Sequence, residues 1–156
     1  MVRELSGLAW VPRFPTSKST DSLVDGFRQK CEAFLAALAD AGATVSISAT
    51  LRPPERAYLM HWSFVVNSGE VEPVDVPPQA GVEFRPSLTS LHIFGKAIDM
   101  SIEWNGALAI KQKNGTRKRI RSLPRTGLNH DLWAVGATYG VLKLPSDAPH
   151  WSNTGH

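Results

Sequence analysis

Apolar residues between positions 21 and 42 recur every three or four residues, which is the period of an amphipathic helix. Asp21 or Ser22 is suited to cap the start, because a short polar side chain can accept hydrogen bonds from the first free N–H groups. Gly42 is suited to the end, where the chain turns left-handed. The pattern therefore predicts a helix whose buried stripe is Leu23, Phe27, Cys31, Phe34 and Leu38.

Two later segments alternate between polar and apolar residues, which is the period of a half-buried strand. The first is Thr44 to Thr50 and the second is Ala97 to Trp104. In the second strand, alternation places Asp99 on the face opposite the apolar one, together with Ala97 and Ser101. The predicted apolar faces are Val45, Ile47 and Ala49 in the first strand, and Ile98, Met100 and Ile102 in the second.

Turn and cap signals predict the remaining elements. Pro53-Pro54 suits the start of a second helix that runs to about Val66, and the proline-rich residues 70–87 predict a long surface loop. Asn129 to Tyr139 predicts another helix, and Val141 to Leu144 predicts the start of a last strand or extended run. The order of these elements indicates an α+β fold, with helices packed on a small, mostly antiparallel sheet.

The composition is typical of one globular domain. The chain has 156 residues, of which 42% are hydrophobic and 20% charged, so residues 1–156 are predicted to form one domain with an irregular segment over 1–19. The single cysteine, Cys31, excludes a disulfide framework and a cysteine-based zinc site. No apolar run approaches the ~18 residues of a membrane span. The first residues lack the apolar stretch of a signal peptide, so we expect synthesis in the cytoplasm without a membrane anchor.

The net charge of +3 is unevenly distributed. Residues 107–121 predict a β-hairpin with its turn at Asn114-Gly115, and no acidic residue occurs between Asn105 and His130. This segment could bind an anionic polymer such as a bacterial cell wall, or it could be a solvated edge whose charges oppose aggregation. Nucleic acid is not an expected partner, because no aromatic residues interleave with these charges. The basic residues are Lys111, Lys113, Arg117, Lys118, Arg119, Arg121 and Arg125.

Four residues in two short motifs carry the candidate chemistry. His92 and Asp99 lie on either side of Gly95, and Asp147 lies three residues before His150. Two imidazoles and a carboxylate form a zinc ligand set that leaves a fourth position open, which is typical of a catalytic site. A turn at Gly95 can bring His92 and Asp99 together. Each ligand alone has a plainer interpretation: His92 as a polar loop residue, Asp99 in a salt bridge with an arginine, and His150 as a surface residue.

These residues belong to a longer pattern that resembles a known enzyme family. The pattern Ser90-x-His92-x-x-Gly95-x-Ala97-x-Asp99, followed by Asp147-x-x-His150-Trp151, is similar to that of certain zinc metallopeptidases. These include D-alanyl-D-alanine carboxypeptidases and dipeptidases, and phage L-alanoyl-D-glutamate endopeptidases. The resemblance covers roughly residues 43–152, and it includes Arg52 and the helix pattern Asn129-x-x-Leu132-Trp133-x-x-Gly136-x-x-Tyr139-Gly140. Asp147 stands where many members have glutamate, which favours the phage endopeptidases.

The resemblance implies a role for each matched residue. His92, Asp99 and His150 would bind zinc, and Asp147 would be the general base that takes a proton from a zinc-activated water. Arg52 would stabilise the oxyanion or hold a substrate carboxylate; its plainer interpretation is a surface or salt-bridged arginine. Each ligating imidazole is expected to donate its other N–H to a carbonyl or carboxylate.

The resemblance also implies the substrate. We expect a peptidoglycan peptidase of the endolysin type, which hydrolyses a stem-peptide amide bond, the L-alanoyl-D-glutamate bond being the expected one. The protein is expected to act as a monomer on the cell wall after release from the cytoplasm. The alternatives are a D-alanyl-D-alanine carboxypeptidase or dipeptidase with the same site, and a zinc-binding or wall-binding domain without activity. Asp147 argues against the last, because binding a metal does not require that carboxylate.

Overall fold

A computed structural model describes residues 15–53, Arg56 and residues 91–156. Most of the predicted second helix, which starts at Pro53-Pro54, and the whole predicted loop over residues 70–87 lie outside the described residues. Within the predicted irregular segment, residues 15–19 are described and contain no helix or strand. The assignment of the whole chain to one domain stays a prediction.

The predicted first helix is present as α1, Asp25–Asp40. Gly42 follows its last turn as predicted, and the Ala43 N–H donates to the Leu38 carbonyl at 3.0 Å across this end. The predicted stripe is buried because it faces the sheet and the helix His130–Thr138. Its members are Leu23, Phe27, Cys31, Phe34 and Leu38.

The start of α1 differs from the prediction. Asp21 and Ser22 do not cap the helix, because they lie in a separate 3-10 turn, Thr20–Ser22. The residue before α1 is Val24, which has no capping side chain. Its N–H donates to the Gly95 carbonyl at 3.0 Å. The helix thus begins directly after Val24, the residue whose main chain contacts the turn that follows His92.

Four strands form an antiparallel sheet. The predicted strands are present as β1, Thr44–Ala49, and β2, Ala97–Glu103. The predicted last strand is a short pair: β5, Leu142–Lys143, is followed by a turn and by β6, His150–Ser152. Because β6 inserts between β2 and β5, residues from the end of the described chain lie at the centre of the sheet.

The basic hairpin and the later helix were both predicted correctly. The hairpin consists of β3, Leu108–Lys111, and β4, Arg117–Ile120, which pair antiparallel. The helix α2, His130–Thr138, begins at Asn129, whose side chain accepts a hydrogen bond from the Asp131 N–H at 2.9 Å. This is the capping function for which asparagine is favoured.

The core between the helices and the sheet is built around Trp151 of β6. Its fully buried ring lies 5.4 Å from that of Phe34 in α1. Gly136 of α2 packs against the same ring, and a Cβ atom there would lie 2.7 Å from it. Only glycine therefore permits this approach. The described residues confirm the predicted α+β class, with two helices on a small antiparallel sheet. Neither helix in this part of the chain has the length and apolar character of a membrane span.

Candidate metal centre

The strand register brings Asp99 and His150 together. They are Cα partners where β2 pairs with β6, and Asp99 also pairs with Ala49 at the end of β1. Directly opposite residues on neighbouring strands project to the same face of a sheet. His150 Nδ1 accordingly lies 3.1 Å from Asp99 Oδ1, although the two residues are 51 positions apart in the chain.

His92 reaches the same carboxylate from a separate turn. It lies in a 3-10 helix, Leu91–Phe94, and the next residue, Gly95, has a φ of +66°. This left-handed conformation favours glycine and reverses the chain as predicted. His92 Nε2 then lies 3.0 Å from Asp99 Oδ1, and its ring meets that of His150 edge to face, with centroids 4.9 Å apart.

Each imidazole has its other ring nitrogen on a main-chain oxygen. His92 Nδ1 lies 2.9 Å from the Thr50 carbonyl oxygen, and His150 Nε2 lies 2.7 Å from the main-chain oxygen of His156. An oxygen of this kind only accepts, so both nitrogens carry protons and donate. The expected outer hydrogen bonds are therefore confirmed, and they hold the inner nitrogens towards Asp99.

The inner atoms of these side chains fit a cation. One ligand atom each from His92, Asp99 and His150 lies within 4.8 Å of the others. With the outer nitrogens acting as donors, these atoms are three electron-pair donors that face one point. They can approach one another only with a proton or a metal ion between them. Two nitrogens and a carboxylate oxygen suit zinc, and three protein ligands leave a position open. Ligation itself stays a prediction.

The pKa values of two of these groups reflect the same arrangement. Burial raises the pKa of Asp99, but hydrogen bonds from His150 and His92 outweigh it and hold this pKa well below its usual range. Burial lowers the pKa of His150, but the bond to Asp99 and the one to the His156 main-chain oxygen outweigh it, so this pKa is raised. In the metal-free protein the Asp99 carboxylate is therefore ionised, and it favours a positive charge on the neighbouring His150.

Asp147 and Arg52 lie beside the ligand group. Asp147 is not a member of that group, but its carboxylate is close enough to act on its neighbours electrostatically. Burial lowers the pKa of the Arg52 guanidinium, and the carboxylates of Asp99 and Asp147 partly offset this shift. The fold thus brings all five predicted site residues into one region. The catalytic roles of Asp147 and Arg52 stay predictions.

Arg52 is held at the site by its main chain. Its N–H donates to the His92 carbonyl at 2.9 Å, so the end of β1 and the His92 turn are joined. Its Nε is buried and has no hydrogen-bond acceptor within the described residues. The guanidinium therefore presents a buried donor next to the Asp99 and Asp147 carboxylates, rather than the surface side chain of the plainer interpretation.

Three further contributors were not predicted from the sequence. Thr50 and His156 act through main-chain oxygens, which every residue has, so no pattern of residue types can signal them. Lys143 is a buried lysine whose Nζ lies 2.6 Å from the Asp147 carbonyl oxygen. Its signal was available in principle, because it is a lysine within the otherwise apolar segment Val141 to Leu144.

Comparisons with known proteins give distant likenesses in structure but none in sequence. No protein-family profile matches the chain, and no curated protein matches it in sequence. Among solved structures, the chain is similar to the crystal structure of the Serratia marcescens L-Ala D-Glu endopeptidase ChiX, with 17% identity and a TM-score of 0.38. The match covers 88% of this chain and 87% of that one. A likeness at this level does not assign an activity to the chain.

The opposite pKa shifts predict how pH affects zinc binding. The lowered pKa of Asp99 stabilises the metal-free fold above about pH 4, and this contribution is lost as the pH falls. The raised pKa of His150 stabilises it below about pH 6.5, and this contribution is lost as the pH rises. Zinc needs the deprotonated imidazole. We therefore expect the increase in melting temperature on adding zinc to grow from about pH 5.5 to 7.5.

Thermal unfolding of metal-free and zinc-saturated protein at three pH values in this range measures the effect. His130→Gln is the matched control, because His130 is an exposed histidine on α2 whose ring lies against Trp133. It should leave the pH trend unchanged. A zinc effect of the same size at every pH would contradict the proton competition.

Proposed function

We propose that this protein is a zinc-dependent peptidoglycan peptidase that hydrolyses a stem-peptide amide bond. The observation that carries the proposal is the convergence of three electron-pair donors, from His92, Asp99 and His150, on one point beside Asp147 and Arg52. A site that only stored a metal would not need a separate carboxylate and a buried guanidinium next to it. A hydrolase needs both, one for proton transfer and one for the developing negative charge.

In this proposal His92, Asp99 and His150 hold the metal. When bound, zinc supplies Lewis-acid polarisation of the scissile carbonyl and lowers the pKa of water to near ~7. The Asp147 carboxylate accepts a proton from the attacking water and returns it to the leaving amine. The main-chain oxygens of Thr50 and His156 hold the imidazole rings in the required tautomers, and this fixes the site before the substrate arrives.

The buried donor of Arg52 suits the substrate side of this chemistry. A buried N–H without an acceptor costs about 1–3 kcal/mol, and an oxygen of the substrate would remove that cost. The carbonyl oxygen that becomes negative in the transition state is one such acceptor, and a carboxylate of the stem peptide is another. Both agree with the roles that the resemblance implies for Arg52.

The assignment to peptidoglycan, and to the L-alanoyl-D-glutamate bond in particular, rests on the sequence pattern described above. Asp147 in the last motif favours the phage endopeptidases over the carboxypeptidases. A phage origin, action on the wall after release from the cytoplasm and a monomeric state stay predictions of the same resemblance.

Incubation of the zinc-loaded protein with purified peptidoglycan tests the proposal. We expect new amino termini from the stem peptide, identified by mass spectrometry of the released fragments, and none with Asp147→Ala. Free D-alanine as the sole product would replace the endopeptidase with a carboxypeptidase. Peptidoglycan left intact by protein that has bound zinc would leave the dipeptidase and the non-catalytic alternatives, which hydrolysis of free D-alanyl-D-alanine would separate.

The structure refines the prediction for the basic hairpin. Arg117 pairs with Asp40 at 3.4 Å, and Lys118 pairs with Asp131 at 3.6 Å, so part of the basic charge is already compensated. Lys113, Arg119 and Arg121 are exposed.

Replacing Lys113, Arg119 and Arg121 with glutamine should weaken binding to whole peptidoglycan about 10-fold at low salt, because each charge contributes to attraction by a polyanion. The difference should fade above ~0.1 M salt, where exposed charges are screened. Cleavage of a small soluble peptide should not change. The double variant Lys18→Gln and Lys30→Gln, at exposed positions outside the hairpin, is the control. Equal loss in both variants would point to net charge rather than to the hairpin.

A further inference from the structure

Lys143 is a buried lysine beside the candidate metal centre. It lies opposite Trp151 in the β5–β6 pair, and only 7% of the residue is exposed. Its Nζ lies 5.5 Å from the ring centre of Trp133 and 6.0 Å from that of Trp151. The same nitrogen donates to the main-chain carbonyls of Leu144 and Asp147, each at 2.6 Å. Lysines this buried are almost always paired, and here the partners belong to the segment that carries Asp147.

Packing alone does not explain a lysine at this position. Methionine has a similar length, adapts to irregular spaces and carries no charge to desolvate. Burial lowers the pKa of Lys143, and the carboxylates of Asp147 and Asp99 offset this only in part. Burial therefore disfavours the charged ammonium. Only its hydrogen bonds to the two carbonyls and its attraction to the carboxylates of the site favour it.

The Asp147 loop, residues 144–149, is anchored separately at its far end. The Pro149 carbonyl accepts a hydrogen bond from the Met100 N–H of β2 at 2.9 Å. His150 follows directly and is held in β6 between two neighbouring strands. None of these contacts involves the Lys143 side chain. The ligand end of the segment is therefore positioned without the lysine ammonium.

The position of Asp147 depends on Lys143 more directly. The Asp147 N–H donates to the Leu144 carbonyl at 3.2 Å, and the Asp147 carbonyl accepts from the His150 N–H at 3.1 Å and from Lys143. Because Lys143 also bonds the Leu144 carbonyl, one ammonium joins both ends of this turn. Without it, two carbonyl oxygens lose a donor and the turn that directs the Asp147 side chain is loosened.

We propose that Lys143 is a positioning residue for Asp147, which holds the Asp147 loop in the conformation that the proton-transfer step requires. The inference rests on the proposed function, because it assigns Asp147 a part in the reaction. It also makes a claim about the fold: the ammonium restrains residues 144–149 and not the metal ligands. This second claim can be measured whether or not the protein is a peptidase.

The test compares Lys143→Met and Lys143→Arg with the natural protein, and uses Lys18→Met, at an exposed position outside the hairpin, as the matched control. In Lys143→Met we expect kcat on a soluble stem peptide to fall about 10- to 100-fold, since misplacing a reacting group by about 1 Å can cost 10²-fold. KM and zinc affinity should stay within about 3-fold, because the pairing of β2 with β6 holds Asp99 and His150, and the end of β1 holds Arg52. Lys143→Arg keeps the charge and the donors and should recover most of kcat.

Hydrogen exchange separates this inference from the proposed function. The amides of the four residues of this loop that are not proline, Leu144, Ser146, Asp147 and Ala148, should exchange at least about 10-fold faster in Lys143→Met, with no change in α1. If the natural protein hydrolyses nothing but this local change is seen, the peptidase proposal fails while the restraint stands. A Lys143→Met protein with unchanged kcat, or one that loses zinc along with kcat, overturns the positioning role. If Lys143→Met does not fold, Lys143→Gln takes its place, and natural kcat in that variant overturns the role equally.

Discussion

Asp147→Ala is expected to eliminate turnover while zinc stays bound. The Asp147 carboxylate is outside the group of clustered ligand atoms, so its removal leaves His92, Asp99 and His150 in place. A general base contributes typically about 10²- to 10⁴-fold to a rate, so kcat/KM should fall by at least that factor. The measurement is hydrolysis of a stem peptide at saturating zinc, together with the zinc content of the variant.

Two comparisons sharpen this result. Asp147→Asn keeps the size of the side chain and removes only its basicity, and it should lose as much activity as the alanine variant. Asp40→Ala removes a half-exposed carboxylate that pairs with Arg117 on the hairpin, and it should leave both zinc content and activity unchanged. Near-normal turnover in Asp147→Asn would move the base elsewhere and contradict the proposed mechanism.

His92→Ala and His150→Ala are expected to lose zinc and turnover together. Each substitution removes one of three ligands, and it also leaves a main-chain oxygen, of Thr50 or His156, without its donor. Changing outer partners alone already costs about 10- to 100-fold in metal affinity, so loss of a ligand should exceed that. Zinc content after dialysis and a competition titration measure the effect, with His130→Ala as the control.

Asp99→Ala should also lose zinc, with a second consequence. Without the carboxylate, His92 and His150 face each other with no negative charge between them, so the pKa of His150 should fall from its raised value. Titration of the His150 ring by NMR in the metal-free variant measures this fall. A metal-free variant with an unchanged pKa for His150 would mean that Asp99 is not its effective partner.

A structure determined with zinc gives an independent check of the ligands. Ligand distances of about 2.0–2.2 Å are expected, in a tetrahedron completed by water or substrate. Ligand atoms around such an ion lie about 3.4 Å apart, as follows from those bond lengths and tetrahedral angles. The present contacts of 3.0 and 3.1 Å from Asp99 Oδ1 to the two imidazoles therefore need to widen by only a few tenths of an ångström. Ligand side chains far apart around bound zinc would contradict the site.

Apolar periodicity was sufficient to predict most of the regular elements. In α1, β1 and β2 the apolar residues lie on the face that packs against the core. The period of apolar residues predicts such elements because each element turns one face to the core. The start of α1 could not be predicted in the same way. Asp21 and Ser22 have capping side chains, but a main-chain contact between Val24 and Gly95 lies at that point. A local propensity of about 1 kcal/mol is easily outweighed by tertiary contacts.

The sequence by itself determined which side chains the candidate metal centre would have. Because the chain has one cysteine, a metal site had to use histidine and carboxylate side chains. The motif that resembles the zinc metallopeptidases then indicated His92, Asp99 and His150. Only the tertiary structure decided how they meet. Asp99 and His150 are 51 residues apart and become neighbours through strand register, which depends on the packing of the whole sheet.

The tertiary structure alone also decided the outer contacts of the site. The tautomers of His92 and His150 are set by main-chain oxygens, and the loop that carries Asp147 is tied by the buried ammonium of Lys143. A main-chain oxygen is the same atom in every residue, and a lysine is usually a solvated side chain. The main-chain oxygens therefore leave no mark in the order of residue types. A lysine in an apolar segment is visible there, but its function comes from the position to which the fold brings it.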